Sequence, residues 1–148
     1  MSFRAASPSD LPALIEIQAA WPLLPQWTAE GFKREIDNAP RSYLAVLEED
    51  TCVLGFAGLW MIPPEAQITT IAVAPAETRR GHGRSLLGHL IAKAMSRGAR
   101  SVTLEVAATN VAALGLYESE GFRIVGRRPK LYNGAVDAVL MEFSCPRR

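Results

Sequence analysis

Cysteine occurs only twice in this 148-residue chain, at Cys52 and Cys145, with neither a Cys-x-x-Cys pair nor the spacing of a zinc site. A disulfide framework and a structural zinc are therefore excluded, and both thiols are expected to be free and reduced. Histidine is equally scarce. His82 and His89 could share a helix face, but no third ligand stands near them, so no metal is expected and both read as surface or loop residues. Charge of one sign is also missing: sixteen Lys+Arg against fifteen Asp+Glu leave a net +1, too weak a field for dedicated nucleic-acid binding. Long apolar runs are absent too. The most apolar stretch, Val53 to Ile62, falls well short of the roughly 20 residues that span a bilayer and is interrupted by Gly55 and Gly58. The first residues lack a basic region followed by an apolar one, so no secretory signal or membrane association is expected and the cytoplasm is the expected location.

What is present is an ordinary globular composition, 49% apolar and 21% charged, long enough for one domain over residues 1–148 with a real core. Neither a repeat nor a linker divides it. Phe3 to Ala6 reads as a short strand, and Ser7-Pro8-Ser9-Asp10 then caps a helix carrying Leu11, Leu14, Ile15 and Ile17. Thr28 caps a second helix with Phe32 and Ile36 inward. Tyr43–Leu47, Val53–Met61 and Gln67–Val73 follow as an antiparallel meander. Leu86, Leu87, Leu90, Ile91, Ala94 and Met95 then recur at helical spacing up to Gly98, which predicts a helix over Ser85–Arg97. A buried-type strand (Ser101–Val106), a helix (Asn110–Glu120, stopped by Gly121) and strands over Phe122–Gly126 and Ala138–Phe143 complete the chain. The pattern predicts an α/β (α+β) architecture, a mixed sheet with helices on both faces.

The most informative segment runs from Ile71-Ala72-Val73 through Arg79-Arg80-Gly81-His82-Gly83-Arg84 into the helix near Ser85. Two glycines let backbone N–H groups approach a ligand, a helix N-terminus adds partial positive charge, and Arg79, Arg80 and Arg84 stand beside them. A pyrophosphate would suit such a loop; a tight turn with solvated arginines is the competing reading. No Gly-Lys-Ser/Thr occurs, which excludes a Walker loop. The dinucleotide fingerprint fails because Leu86 stands at its third glycine position.

Thr78-Arg79-Arg80-Gly81-His82-Gly83 resembles the acetyl-CoA pyrophosphate loop, Gln/Arg-x-x-Gly-x-Gly/Ala, of the GNAT N-acetyltransferases, with Thr78 departing from the usual first residue. Leu104-Glu105-Val106, Asn110 and Leu116-Tyr117-Glu118-Ser119-Glu120-Gly121-Phe122 are similar to the family's later motif. Across nearly the whole chain, including Trp27-Thr28, Gly55-Phe56-Ala57-Gly58 and Asp137-Ala138, the resemblance is greatest to the RimI-type ribosomal-protein-alanine N-acetyltransferases. Two segments differ: Gln26 replaces a usual proline, and Lys130-Leu131-Tyr132 stands where a Tyr-Tyr pair is common.

The resemblance implies a GNAT fold with a central, mostly antiparallel mixed sheet, and acetyl transfer from acetyl-CoA to a protein N-terminal α-amine by direct attack. It gives Glu105 the role of base, directly or through water, and Tyr117 that of acid to the departing thiolate. It gives the Ile71–Val73 backbone the cofactor's strand edge and an oxyanion donor, and Asn110 the pantetheine arm. Neither cysteine has a place in this chemistry. Trp27, Tyr132 and Asp137 are candidates for the peptide side, their competing roles being a hydrophobic staple, loop packing and turn capping. Arg123, Arg127, Arg128, Arg147 and Arg148 read as solvated surface. A GNAT acting on a small-molecule amine is the alternative, and an acetyl-CoA-binding regulatory module is a third reading that Glu105 and Tyr117 oppose. A closed, narrow cavity would favour the small amine, an open groove the peptide.

Overall fold

A computed structural model describes residues 1–132 and 136–146, the side chains of 130–132 excepted. Strand β1 (Ser2–Ala5) leads into a turn at Pro8–Asp10, where the buried Asp10 carboxylate accepts from Arg4 at 2.7 and 2.8 Å and from the Ser7 N–H at 2.8 Å. Hydrogen bonding to the Arg4 guanidinium holds the Asp10 carboxyl below its ordinary pKa. Helix α1 (Leu11–Ala19) buries Leu14, Ile17 and Gln18, whereas Ile15 turns outward. Helix α2 (Ala29–Asp37) begins where the Thr28 hydroxyl accepts the Gly31 N–H at 3.0 Å, and it buries Phe32.

Strands β2 (Ser42–Glu49), β3 (Cys52–Ile62) and β4 (Glu65–Val73) form the expected meander. Its first turn is tight because Asp50 and Thr51 both adopt the left-handed region, at φ 51° and 64°. Then come α3 (His82–Ser96), β5 (Ser101–Ala107), α4 (Val111–Ser119), β6 (Arg123–Tyr132) and β7 (Val136–Ser144). Gly98 ends α3 at φ 88°. The seven strands make one sheet in the order β1-β2-β3-β4-β5-β7-β6, antiparallel except between β4 and β5. Leu86, Leu87, Leu90 and Tyr117 pack on one face of it. Leu14, Ile17 and Phe32 pack on the other, so helices cover both faces as the sequence predicts.

Three boundaries or placements differ from the sequence reading. Strand β6 continues past Gly126 to Tyr132, because pairing of Arg127 with Val139 and Arg128 with Ala138 sustains a polar segment as strand. Pro129 fits there because β6 is an edge strand. Helix α3 starts three residues early, which brings His82 into the helix, and both histidines lie on its packed side. His82 is 7% exposed. His89 stacks on Phe3 with centroids 4.2 Å apart, and its Nε2 shares a 2.6 Å hydrogen bond with the Tyr43 hydroxyl. Neither is the surface histidine expected, because positions 82, 86, 89 and 90 share one helix stripe facing the core. Cys52 and Cys145 are unbridged. No helix among the described residues is long and apolar enough to cross a membrane.

Burial pushes the His89 pKa below its ordinary 6.5, and the Lys93 charge adds to the shift. Below that pH the unfolded chain takes up a proton that the folded chain resists, so this contribution to stability is complete above about pH 6.5 and is lost on acidification. Melting temperatures taken between about pH 8 and 5 should fall on the acid side. His89→Gln should flatten that fall; parallel curves would assign it to other groups.

Candidate active site

The parallel pair β4 and β5 stays together only where Glu65, Ala66 and Gln67 oppose Ser101, Val102 and Thr103. Beyond Gln67 the strands part. The cause lies on the other edge of β4, in a β-bulge against β3 that leaves Thr69 unpaired between Ile68, opposite Leu59, and Thr70, opposite Gly58. Glycine at position 58 leaves room for the bulge, since a Cβ there would come within 2.4 Å of the Thr69 hydroxyl oxygen and force that side chain to shift. The bulge bends β4 away from β5 and opens a wedge in the sheet.

A cleft of about 290 Å³ fills the wedge, and Glu105, Tyr117, Asn110, Ile71 and Trp27 all line it. Glu105 projects from β5 with 23% of its side chain exposed, and the Arg128 Nε lies 3.4 Å from its Oε1. Arg128, read from the sequence as solvated surface, thus reaches across β7 to the carboxylate. Tyr117 comes from α4, 9% exposed, with its ring 5.8 Å from that of Phe122. Asn110 caps α4 by accepting the Ala113 N–H on its side-chain oxygen at 3.2 Å. That bond occupies the oxygen, and the amide NH₂ is the group suited to a ligand.

A second opening of about 290 Å³ adjoins the first and shares Ile71 and Asn110 with it. Its wall is the strand edge Ile71-Ala72-Val73. The Ala74 N–H bonds to the Leu54 carbonyl on β3, so by strand alternation the peptide groups of Ile71 and Val73 face the wedge. The Val73 carbonyl is taken by the Trp21 indole N–H at 2.8 Å. The Ile71 groups and the Val73 N–H form an edge that an amide-bearing ligand can extend as a strand does.

At the mouth of the wedge, Arg79 and Gly81 both hold positive φ, 63° and 80°, and α3 begins at His82. This alternation turns successive N–H groups toward one concavity, as an anion nest requires. The arginine charges are arranged differently from the sequence expectation. Arg80 pairs with Glu77 at 3.0 Å and Arg84 with Glu120 at 2.7 Å, while Arg79 carries no ion pair among the described residues. The loop's backbone N–H groups and the Arg79 side chain are therefore the groups suited to an anion. His82 packs into the loop, Nε2 3.7 Å from Glu77, and its buried Nδ1 has no hydrogen-bond partner among the described residues.

Of the three candidates for the peptide side, Trp27 lines the cleft. Its backbone N–H donates to the Gln18 side-chain oxygen at 3.0 Å, and its carbonyl accepts from the Gln18 amide. Gln26 adds three donor contacts to carbonyls of the same loop, from Gln18, Trp21 and Leu24. Sequence reasoning missed this bracing, although a buried glutamine inside an apolar helix was a signal that could have found it. Asp137 is the second residue of β7, where its carbonyl accepts the Ala108 N–H at 2.8 Å. It does not line the described cleft. The Tyr132 side chain lies outside the described residues.

A long, thin ligand with an anionic end, amide groups along its length and a reactive end fits the nest, the strand edge and the cleft in that order. The wedge thus defines a transferase whose group donor is an acyl carrier bearing phosphates. The Acetyltransferase (GNAT) family model matches residues 11–122, and the chain belongs to that family. It is 38% identical over 139 residues to the ribosomal protein bS18-alanine N-acetyltransferase of Salmonella typhimurium, covering 91% of each chain. The crystal structure of the Escherichia coli ribosomal-protein-S18-alanine N-acetyltransferase superimposes with a TM-score of 0.88 at 32% identity, over 99% of this chain and 95% of that one. An uncharacterized Mycobacterium leprae protein, ML0378, is 42% identical over 120 residues; these are 78% of this chain but only 32% of that longer protein.

Proposed function

We propose that this protein transfers acetyl from acetyl-CoA to the N-terminal α-amine of a protein, with an alanine-starting ribosomal protein as the acceptor class. The observation that carries the reading is the cleft's two-sided access. Glu105 and Tyr117 stand between an opening along the β4 edge and a separate one past Trp27, so donor and acceptor enter from different sides and meet. The ribosomal acceptor is drawn from the relatives, and a cytoplasmic location is the one such a substrate calls for.

Acetyl-CoA supplies an activated acetyl thioester. The nest at Arg79–Gly81 binds its pyrophosphate, and the Ile71 and Val73 peptide groups with the Asn110 amide align its amide-bearing arm. An α-amine of ordinary pKa, about 7.7–8.0, is partly neutral at physiological pH. Glu105 takes its remaining proton, and peptide N–H groups of the β4 edge face the oxygen on which charge develops. Tyr117 gives a proton to the departing sulfur.

Mass spectrometry of alanine-starting ribosomal-type peptides incubated with protein and acetyl-CoA should show one added acetyl. N-blocked lysine peptides should remain unmodified. Transfer to neither set, with acetyl-CoA still bound, would turn the assignment to a small-molecule amine.

Tyr117→Phe keeps the ring packed on Phe122 and removes only the hydroxyl. Single-turnover acetylation is expected to slow by about 10- to 100-fold, the lower part of the range for a positioned acid, with the acetyl-CoA Kd nearly unchanged. An unaltered chemical step would withdraw the acid role.

Gly55→Ala tests the strand edge. A Cβ there would stand 2.7 Å from the Ala72 carbonyl oxygen and 3.3 Å from Val73 Cα, pushing the end of β4 off β3. The expected cost is about 1–3 kcal/mol of stability, with weaker acetyl-CoA binding by calorimetry. A variant that melts lower but binds acetyl-CoA as well as wild type would separate that edge from the cofactor.

A further inference from the structure

The second opening has two walls, the strand edge Ile71–Val73 and the turn Trp21–Leu24 that leaves α1. One hydrogen bond joins them: the Trp21 indole N–H donates to the Val73 carbonyl at 2.8 Å. Its place along the edge matters. Ile71 lies at the cleft end, since it lines the cleft as well, whereas β4 ends at Val73 and the chain turns there toward the nest. A ligand that reaches from the nest to Glu105 therefore meets the Trp21–Val73 bond first. Both sides of that bond are held. Val73 pairs with Gly55 on β3. The Trp21 backbone N–H donates to the Gln18 carbonyl at 2.9 Å, and its carbonyl accepts the Leu24 N–H and the Gln26 side-chain amide, each at 3.0 Å. The backbone of Trp21 is thus fixed, and only its side chain crosses the opening.

We propose that Trp21 binds the amide arm of acetyl-CoA: the arm enters between the indole and β4, and one of its amides accepts from the indole N–H while donating to the Val73 carbonyl. This rests on the reading above that the arm lies along the β4 edge, and it adds a residue on the opposite wall. An amide carries one donor and one acceptor, so the exchange leaves neither Trp21 nor Val73 without a partner. An ester or a hydrocarbon chain at the same point would break the Trp21–Val73 bond and replace only part of it or none, which is unfavourable. Inserting one extended chain separates the two groups by a strand spacing, about 4.8 Å. Rotation of the tryptophan side chain between staggered positions supplies that movement while its backbone stays braced.

The test follows the indole N–H signals by NMR, three in this chain, with that of Trp21 identified by its loss in Trp21→Phe. Acetyl-CoA should move the Trp21 signal. The carrier's nucleotide half, a phosphorylated adenosine diphosphate without the arm, should leave it in place. Calorimetry with the same two ligands gives the ratio of their Kd values, nucleotide half over acetyl-CoA, in wild type and Trp21→Phe, and any loss of folded protein cancels from that ratio. It should fall about three- to tenfold in the variant, the scale of one hydrogen bond. A Trp21 signal that acetyl-CoA leaves in place, one that the nucleotide half moves equally, or a ratio that is unchanged or larger would overturn the proposal while leaving the strand-edge reading intact. Undiminished acetyl-CoA binding by Gly55→Ala would overturn that reading and this inference together.

Discussion

Glu105→Gln should lower kcat/KM for the peptide acceptor by about 10²- to 10⁴-fold, the usual worth of a positioned general base. The carboxamide has nearly the carboxylate's shape but cannot take a proton. The substitution therefore keeps the side chain on the cleft floor and removes only the chemistry. It also dissolves the ion pair with Arg128, whose guanidinium lies 3.4 Å away and 60% exposed. An exposed pair of this kind contributes little to stability, so melting behaviour should be almost unaltered while turnover collapses. Acetyl-CoA binding, measured apart from turnover, should stay within about twofold because Glu105 is not on the strand edge proposed to hold the carrier. A variant as fast as wild type, with the same dependence on pH, would move the proton acceptor elsewhere.

The reach of Arg128 to that carboxylate shows why some of the site was legible in the sequence and some was not. Local signals carried the legible part. Glycines at 81 and 83 before an apolar-periodic helix predict the anion loop, and Asn110, as the cap of α4, is placed by the same start signals that define the helix. Glu105 and Tyr117 stand twelve residues apart and are joined by one strand-to-helix turn, so the motif that suggests them also brings them together. Contacts made across the sheet leave no such trace. Arg128 meets Glu105 over an intervening strand, and Trp21 bonds to Val73 across a separation of 52 residues. The bulge at Thr69 is hidden for another reason: an unbroken β-rich run reads as regular strand, and the extra residue shows only in the pairing of Gly58 with Thr70 and of Leu59 with Ile68. His82 was misplaced by a boundary error, since starting α3 at Ser85 leaves it in a loop, whereas His89 lay within the expected helix and only its packing against Phe3 and Tyr43, across the fold, was hidden.

Phe56→Ala should be the most damaging single truncation on the α1–α2 face, costing about 3–5 kcal/mol, a large share of the roughly 5–15 kcal/mol that keeps a domain folded. Phe56 has no exposed surface, and its ring meets Phe32 edge to face at 5.6 Å. Phe32 in turn meets Trp27 at 5.3 Å. The three rings link β3 through α2 to the wall of the acceptor cleft, while the nest and the β5 carboxylate lie outside this chain of contacts. The loss should therefore be uneven in function. In the folded fraction the acceptor KM should rise more than the acetyl-CoA KM, because a cavity under Phe32 lets Trp27 and the start of α2 shift while the strand edge keeps its pairing with β3. Phe56→Leu fills most of the volume and should recover most of the stability. Chemical denaturation of the three proteins, with steady-state kinetics on each substrate, tests both halves. Equal increases in the two KM values would mean that the aromatic chain supports the whole site and not the acceptor wall alone.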